Sequence, residues 1–545
     1  MVDKKDYGSI ALGLYDVPDA PQATVLYMNL LRANAMIVGS ALSGKTTMVK
    51  NILARMHETE PYLSWEEIYI LDFGGNIGEY AGLGRVAACF DNSNDENVKR
   101  IFQQIEKRFL ENGRKLGGAN FLSYQEKHAG EPDKLLRHYT LILENANTFF
   151  EEERYSAYQE LLLKLSREGI SKGVSILMTA ANNSGGMNRM LLNFKWKYVL
   201  EMPKEKYGEI FGMKMDEPMK IPGRGMTVIN SCPCEFQAYL PFENEGTELA
   251  ALIERTAGTA VRKMKAFPLE LLPSDADTYC PDRSLKASEA ILGLEYYNHT
   301  PITVDFEEMH TIAIYGKKKF GKTNLLRQML TEAMRMYPKA YYFFFDDSKE
   351  QLREFHKAIR ASGSKRSKYF QQPQQFEELM KQIETRRSDP EEYGEEPIFM
   401  IIQNRRLFTT MRSKRTDGGF YLAGFLGQNG DYDEYYIFTD VPKIPQKDTA
   451  DEFNMEVEMA FLLDNIHEFV MERGRSSVFG AMESKDLKKE FAPCDIGDAF
   501  CYNVGRDELF KFKAFKTEPL FPPEEEEAAR TETEEETEKT EELYE

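Results

Sequence analysis

Gly39-Ser-Ala-Leu-Ser-Gly-Lys-Thr46 and Gly316-Lys-Lys-Lys-Phe-Gly-Lys-Thr323 decide how this chain folds. Both read G-x-x-x-x-G-K-T. The glycines of such a loop let successive backbone N–H groups turn toward phosphates, while the next helix offers its positive end. Lys45 and Lys322 would reach the β- and γ-phosphates, and the Thr46 and Thr323 hydroxyls would hold Mg2+. The flanks agree. Apolar runs precede each loop (Ala35 to Val38; Ile312 to Tyr315), and helix formers follow (Thr47 to Met56; Asn324 to Met334). The expected cofactors are therefore ATP and Mg2+. Their candidate contacts are Gly39, Ser40, Ala41, Leu42, Ser43, Gly44, Lys45, Thr46 and Thr47 in the first loop. In the second they are Gly316, Lys317, Lys318, Lys319, Phe320, Gly321, Lys322, Thr323 and Asn324.

The two loops lie 277 residues apart, and other landmarks repeat in the same order. Leu12–Leu14 and Leu292–Leu294 both read Leu-Gly-Leu. Ile68-Tyr-Ile-Leu-Asp72 is matched by Tyr342-Phe-Phe-Phe-Asp346, and Gln104-Ile-Glu-Lys-Arg108 by Gln382-Ile-Glu-Thr-Arg386. This is a duplicated domain. Short Val/Ile/Phe-rich runs alternate with helix-period stretches in each copy, so the expected class is α/β, with two tandem mainly parallel sheets flanked by helices. Gly246 to Lys265 reads as a helix, and Pro268 and Pro273 break it. The expected domains are 1–265, 266–521 and an acidic tail, 522–545.

Hydrolysis asks for more than a phosphate cradle. A working site adds an apolar strand ending in Asp for the metal, usually followed by Glu to activate water. The first copy offers Tyr139-Thr-Leu-Ile-Leu143 and then Glu144-Asn145, while the second offers Ile398-Phe-Met-Ile-Ile402 and then Gln403-Asn404. Glu144 can face a metal, one methylene too long. Asn145 takes no proton, and Gln403 and Asn404 carry no carboxylate. Loss of a general base costs roughly 10²–10⁴-fold in rate. Nucleotide binding with weak or no hydrolysis is expected, unless Glu151 or Glu152 substitutes. Thr179 ends the next strand, where a polar group would sense a γ-phosphate, and Thr439 is its proposed counterpart. Arg108, and Arg386 or Arg387, are helix-borne candidates for fingers toward a neighbouring copy. The lysines of the second loop have two readings, tighter attraction to phosphate or a drifted loop that stays solvated.

Composition bounds the rest. The 545 residues exceed one hydrophobic core. No apolar run approaches the roughly 18 residues that cross a bilayer. Of the net charge of −20, half lies in residues 524–545, where twelve Glu face Arg530 and Lys539. That tail is expected to be disordered and self-repelling. The six cysteines lack the two spaced pairs of a zinc site, and Cys232 and Cys234 are expected as reduced thiols at a strand edge.

The order of P-loop, Leu71–Gly74, Glu106-Lys-Arg-Phe109, Arg167-Glu-Gly169, Lys172-Gly-Val174 and Pro222-Gly-Arg-Gly225 resembles the FtsK/SpoIIIE class of RecA-like P-loop NTPases. More closely, it is similar to the C-terminal domains of the EssC-type ATPases of type VII (WXG100) secretion. In the second copy Ile401-Ile-Gln-Asn-Arg-Arg406, Asp495-Ile-Gly-Asp498 and Val504-Gly-Arg-Asp-Glu508 extend the likeness, which spans residues 8–516. The resemblance implies a membrane-anchored protein with three ATPase domains on the cytoplasmic side of the cell membrane. This chain would hold the second and third. It further implies WXG100-like secreted substrates and other secretion components as partners, contact with the first ATPase domain and the anchor, and a hexamer in the assembly. Two alternatives stand beside it. A DNA translocase of the FtsK class would need a basic channel, which this acidic chain does not suggest, so no nucleic acid is expected. The other is a scaffold with relic P-loops.

Overall fold

The computed structural model describes residues 7–16, 23–183, 185–281, 284–296, 299–316, 319–346, 350, 352–362, 364–389, 396–403, 415–416, 419–420, 426, 429–439, 466–471, 496–503, 508–518 and 520. Lys317, Lys318, Asn404, Cys494, Asp495, the stretch 504–507 and the tail 522–545 lie outside them. The chain divides into two compact units, Met1–Phe267 and Pro268–Glu545.

The first unit is built on ten strands: β1 (Ile10–Tyr15), β2 (Thr24–Met28), β3 (Asn34–Val38), β4 (Glu66–Asp72), β5 (Val86–Phe90), β6 (His138–Glu144), β7 (Val174–Ala180), β8 (Phe194–Leu200), β9 (Arg224–Ile229) and β10 (Cys232–Ala238). They order as β2-β1-β10-β9-β8-β3-β7-β6-β4-β5. From β8 to β5 the pairing is parallel, and β9, β10, β1 and β2 extend the sheet antiparallel. Strand geometry sends alternate side chains to opposite faces. In β3, Met36 and Val38 join a core with Phe102, Ile105 and Phe109 of the helix Asp95–Leu116. Ala35 and Ile37 join another core with Met48, Ile52 and Leu53 of the helix Lys45–Met56. Both faces are covered, which explains near-continuous apolar runs in the central strands.

Beyond β10 the expected long helix is shorter. It runs Glu245–Thr256 and yields to a 3₁₀ turn, Ala257–Thr259, around Gly258. The chain then straightens, because its backbone finds partners along the β5 side of the sheet. The Val261 amide donates to Gly84 O (2.8 Å) and the Met264 amide to Ala87 O (2.7 Å). The Lys263 ammonium donates to the carbonyls of Ala81, Leu83 and Val86 at 2.9, 2.5 and 2.6 Å. Residues 257–267 are a strap on the β5 edge.

The second unit repeats the plan with β11 (Glu289–Glu295), β12 (Pro301–Asp305), β13 (Thr311–Gly316), β14 (Tyr341–Phe345), β15 (Ser367–Phe370), β16 (Ile398–Ile402), β17 (Glu434–Thr439), β18 (Ile466–Met471), β19 (Asp498–Asn503) and β20 (Glu508–Ala514). Their order is β12-β11-β20-β19-β18-β13-β17-β16-β14-β15, so each strand of the first unit has a counterpart ten numbers later. A short hairpin pairing Arg415–Thr416 with Gly419–Phe420 intervenes between β16 and β17.

Candidate functional site

The first loop leaves β3 beside the ends of β7 and β8. The Gly39 amide donates to Ala180 O (3.1 Å) and the Ser40 amide to Glu201 O (2.7 Å). Leu42 then turns with φ 60° and Gly44 with φ 104°, starting the helix Lys45–Met56. Positive φ values of this kind suit glycine and cost other residues, so the loop holds backbone strain at Leu42, whose side chain is 95% exposed. No side chain caps the helix start. Its first N–H groups are therefore open to an anion. The Ser43 hydroxyl is buried without a hydrogen-bond partner. These features fit a phosphate chain.

The loop is also braced from outside. The Gly223 amide donates to Ser43 O (2.8 Å), and a Cβ at Gly44 would stand 2.8 Å from the Gly223 nitrogen. Pro222–Gly225 belongs to the resemblance by sequence, but nothing in its spacing announces that it packs on the phosphate loop.

Lys45 donates its ammonium to Gly39 O (2.7 Å) and Ser40 O (2.8 Å). Burial lowers its pKa, and the nearby Glu144 opposes that shift. At the end of β6 the Glu144 carboxyl accepts from the Thr46 hydroxyl (2.6 Å) and from the Thr179 hydroxyl. Burial raises the Glu144 pKa, the two hydroxyls pull it back, and Asp72 adds to the rise. A Mg2+ ion accompanying ATP would be held by Thr46 with Glu144 behind it, and would neutralise phosphate charge. Asn145, with φ 58°, donates its backbone amide to Thr179 Oγ1 (2.9 Å) and its side-chain amide to Thr148 Oγ1 (2.9 Å).

Other expected participants sit elsewhere. Glu151 is exposed at the end of the helix Ala146–Glu151, and Glu152 pairs with Arg154. Arg108 bonds Glu111 (3.0 Å) and lies over Tyr139, at the end of β6 opposite Glu144. Arg386 donates to Glu396 O, and Arg387 grips Glu434 with two bonds, 2.9 and 2.6 Å. Asp72 accepts from the amides of Asn76 (3.2 Å) and Ile77 (2.7 Å), so it organises the turn after β4. Asp346 does the same with the Leu352 amide (2.7 Å), aided by the Tyr369 hydroxyl (2.8 Å).

In the second unit Lys319 takes φ 67° and Gly321 φ 106°, close to Leu42 and Gly44. Lys322 donates to Gly316 O (2.8 Å). Register fixes the remaining equivalences. Asp72 faces Glu144 across β4 and β6, and the Gln403 amide donates to Phe345 O beside Asp346, placing buried Gln403 where Glu144 stands. Ile37 pairs with Thr179 and Ile314 with Thr439, which makes those threonines counterparts. Phe320 replaces Ser43 and packs on the core. Asn324 bonds Phe515 O (2.7 Å) and Thr517 (2.8 Å), tying the helix Lys322–Met336 to the segment after β20. The uncapped helix and the turns fit an anion, but the residues in Glu144's place do not fit a metal. Among the described residues no cluster of His, Cys, Asp or Glu forms a metal centre, and no helix is long and apolar enough to cross a membrane. Cys232 and Cys234 form no disulfide.

No family model matches the chain. Among curated proteins it is similar to the type VII secretion system protein EssC of Staphylococcus aureus, 21% identical over 428 residues. That match takes in 75% of this chain and 28% of the relative, so the chain spans little more than a quarter of its length. Among solved structures, EssC (ATPases 2 and 3) from Geobacillus thermodenitrificans aligns with a TM-score of 0.63 at 16% identity, covering 95% of this chain and 98% of that one. Thermomonospora curvata EccC (ATPases 2 and 3), in complex with a signal sequence peptide, aligns with a TM-score of 0.55 at 15% identity, covering 95% of each. By sequence the chain is similar to the EssC-type ATPases of type VII secretion, and by fold to the second and third ATPase domains of EssC and EccC.

Proposed function

We propose that this chain is a nucleotide-responsive module of a type VII secretion ATPase, working on the cytoplasmic side of the membrane. Its first unit binds ATP with Mg2+ and hydrolyses it weakly or not at all; the pair of domains, 1–265 and 266–521, serves substrate recognition and regulation of the motor. The observation that carries this is the end of β6. Glu144 is engaged by Thr46 and Thr179 behind the phosphate loop, and the next residue, Asn145, offers no base. Fixed polar groups there would register a γ-phosphate without activating water. The signal sequence peptide bound to Thermomonospora curvata EccC supports a secreted substrate as partner here, and WXG100-like proteins are the class proposed. A first ATPase domain, a membrane anchor and a hexameric assembly complete the proposal.

Thermal unfolding tests it. Mg–ATP at 100 times its dissociation constant stabilises the chain by about 2.7 kcal/mol, and Lys45→Ala removes the gain. Phosphate release stays well below one per second. Release at several per second, or no stabilisation by Mg–ATP, overturns the reading.

A further inference from the structure

In the first unit, the chain that follows the last strand covers the edge of the sheet. After β10 it forms the helix Glu245–Thr256 and the strap on β5, where Lys263 binds three backbone carbonyls. In the second unit the matching edge strand is β15, and among the described residues nothing pairs with its outer side. The surface around it is basic. Residues 353–368 carry Arg353, Lys357, Arg360, Lys365, Arg366 and Lys368 against the single acid Glu354, which is paired to Arg327 at 2.9 Å. Arg360, Lys365 and Lys368 are exposed, as is Lys339, whose carbonyl is bonded by Arg366. The first unit's connection between β4 and β5 holds only Glu79 and Arg85. Arg353 pairs with Glu350 (2.6 Å) and Arg366 with Glu396 (3.4 Å), while the exposed Lys339, Arg360, Lys365 and Lys368 need another account.

The chain after β20 supplies one. The last described residue, Leu520, packs on the core and lines a cavity of about 370 Å³ together with Arg327, the partner of Glu354 on the helix Arg353–Ala361. The tail thus departs beside the element that leads into β15. Residues 524–545 then carry twelve Glu against two basic residues. Counted from the end of the last strand, the strap residues 261–264 correspond to residues 537–540, within that acidic stretch. Twenty-five residues, 521–545, can span at most about 80–90 Å, ample for the path. We propose that the acidic tail docks on the basic β15 edge of its own second unit, its glutamates meeting Lys339, Arg360, Lys365 and Lys368. The tail takes the course that the strap takes in the first unit, with the charges exchanged: there a lysine meets carbonyls, here glutamates meet lysines. The tether keeps the local concentration of the tail near millimolar, so weak surface pairs suffice, and salt weakens them.

Hydrogen exchange on the full chain tests the docking. Backbone amides of residues 366–370 exchange at least about tenfold more slowly at low salt than in a chain ending at Phe521, and the difference closes at 1 M salt. A peptide of residues 524–545 restores protection to the shortened chain, and fails to do so with Arg360→Gln, Lys365→Gln and Lys368→Gln combined. These neutral changes lie on exposed positions, and circular dichroism confirms that the variant folds. Equal exchange in full and shortened chains overturns the proposal. So does binding of anionic vesicles or duplex DNA to the patch with equal affinity whether or not the tail is present.

Discussion

Inside the first phosphate loop lies Ser43, buried with an unpaired hydroxyl; at the matching place in the second lies Phe320, packed on the core. Behind the first loop stands Glu144, and behind the second Gln403. Yet the two backbones turn alike, with φ 60° and 104° in one and 67° and 106° in the other. A duplicated domain has kept the shape that receives an anion and changed the groups that would place a metal. The same split runs through the scaffold. Where the first unit has Phe109 and Val174 in its core, the second has Arg387 and Glu434 as a bidentate pair. Shape and chemistry have separated.

The largest expected effect comes from that substitution of an ion pair for an apolar pair. Arg387 and Glu434 are only 11% and 2% exposed, so Arg387→Ala strands a buried carboxylate and costs about 3–5 kcal/mol in denaturant unfolding. Arg387→Phe with Glu434→Val, which copies the first unit, brings the loss back near zero. Equal losses in single and double variants would show that the two units are not equivalent at this position.

A smaller difference appears on acidification. His57 closes the phosphate-loop helix, its Nδ1–H donating to Leu53 O (2.7 Å) and its Nε2 accepting from the Arg85 amide (3.1 Å). The Nε2 bond requires the neutral ring, and burial, outweighing the Leu53 bond, pushes the pKa down to about 4. An unfolded histidine titrates near about 6.5, so the unfolded state takes up the proton first. The stabilisation is complete above about pH 6.5 and is lost as pH falls toward 4, on the order of 3 kcal/mol at most. The second unit carries Met334 at that position. Burial also lowers its His310 and His356, so it does not escape acid altogether. His57→Gln should flatten the pH dependence of unfolding between pH 6.5 and 4; an unchanged slope would remove His57 as its source.

The smallest expected change tests the metal directly. Glu144→Gln gives the first unit the second's side chain, and Gln403→Glu does the reverse. Calorimetric titration of ATP with Mg2+ and with chelator should show Glu144→Gln losing about tenfold of its metal dependence, near 1.4 kcal/mol, and Gln403→Glu gaining some. No change in either would mean that neither position bears on the metal.

Much of this arrangement was legible in the chain itself. Duplication is carried by residue types that tolerate few substitutes, such as Gly44 and Gly321 at positive φ and the lysines that follow them. Parallel strands buried on both faces read as apolar runs, as at β6 and β16. The antiparallel half of each sheet is not legible in this way, because strands such as β2 and β10 mix exposed and buried positions without clean alternation. The helix before the boundary was read too long, since apolar spacing continues past Thr256 while the backbone leaves to bond with the sheet. Nor could the partners of Glu144 be read, since Thr46, Glu144 and Thr179 lie far apart in sequence and meet only at the ends of the paired strands β6 and β7, beside the start of the helix Lys45–Met56.

One contact described above reaches beyond the loop. Gly44 and Gly223 meet with no room for a methyl group, and the Gly223 amide holds Ser43 O. Pro222–Gly225 opens directly into the β9–β10 hairpin, whose other edge carries β1. The phosphate loop and the antiparallel wing are thus linked like two gears with no backlash. A shift of a few tenths of an ångström in the Gly44 backbone has no free play to absorb it, and half the sheet must feel it or prevent it.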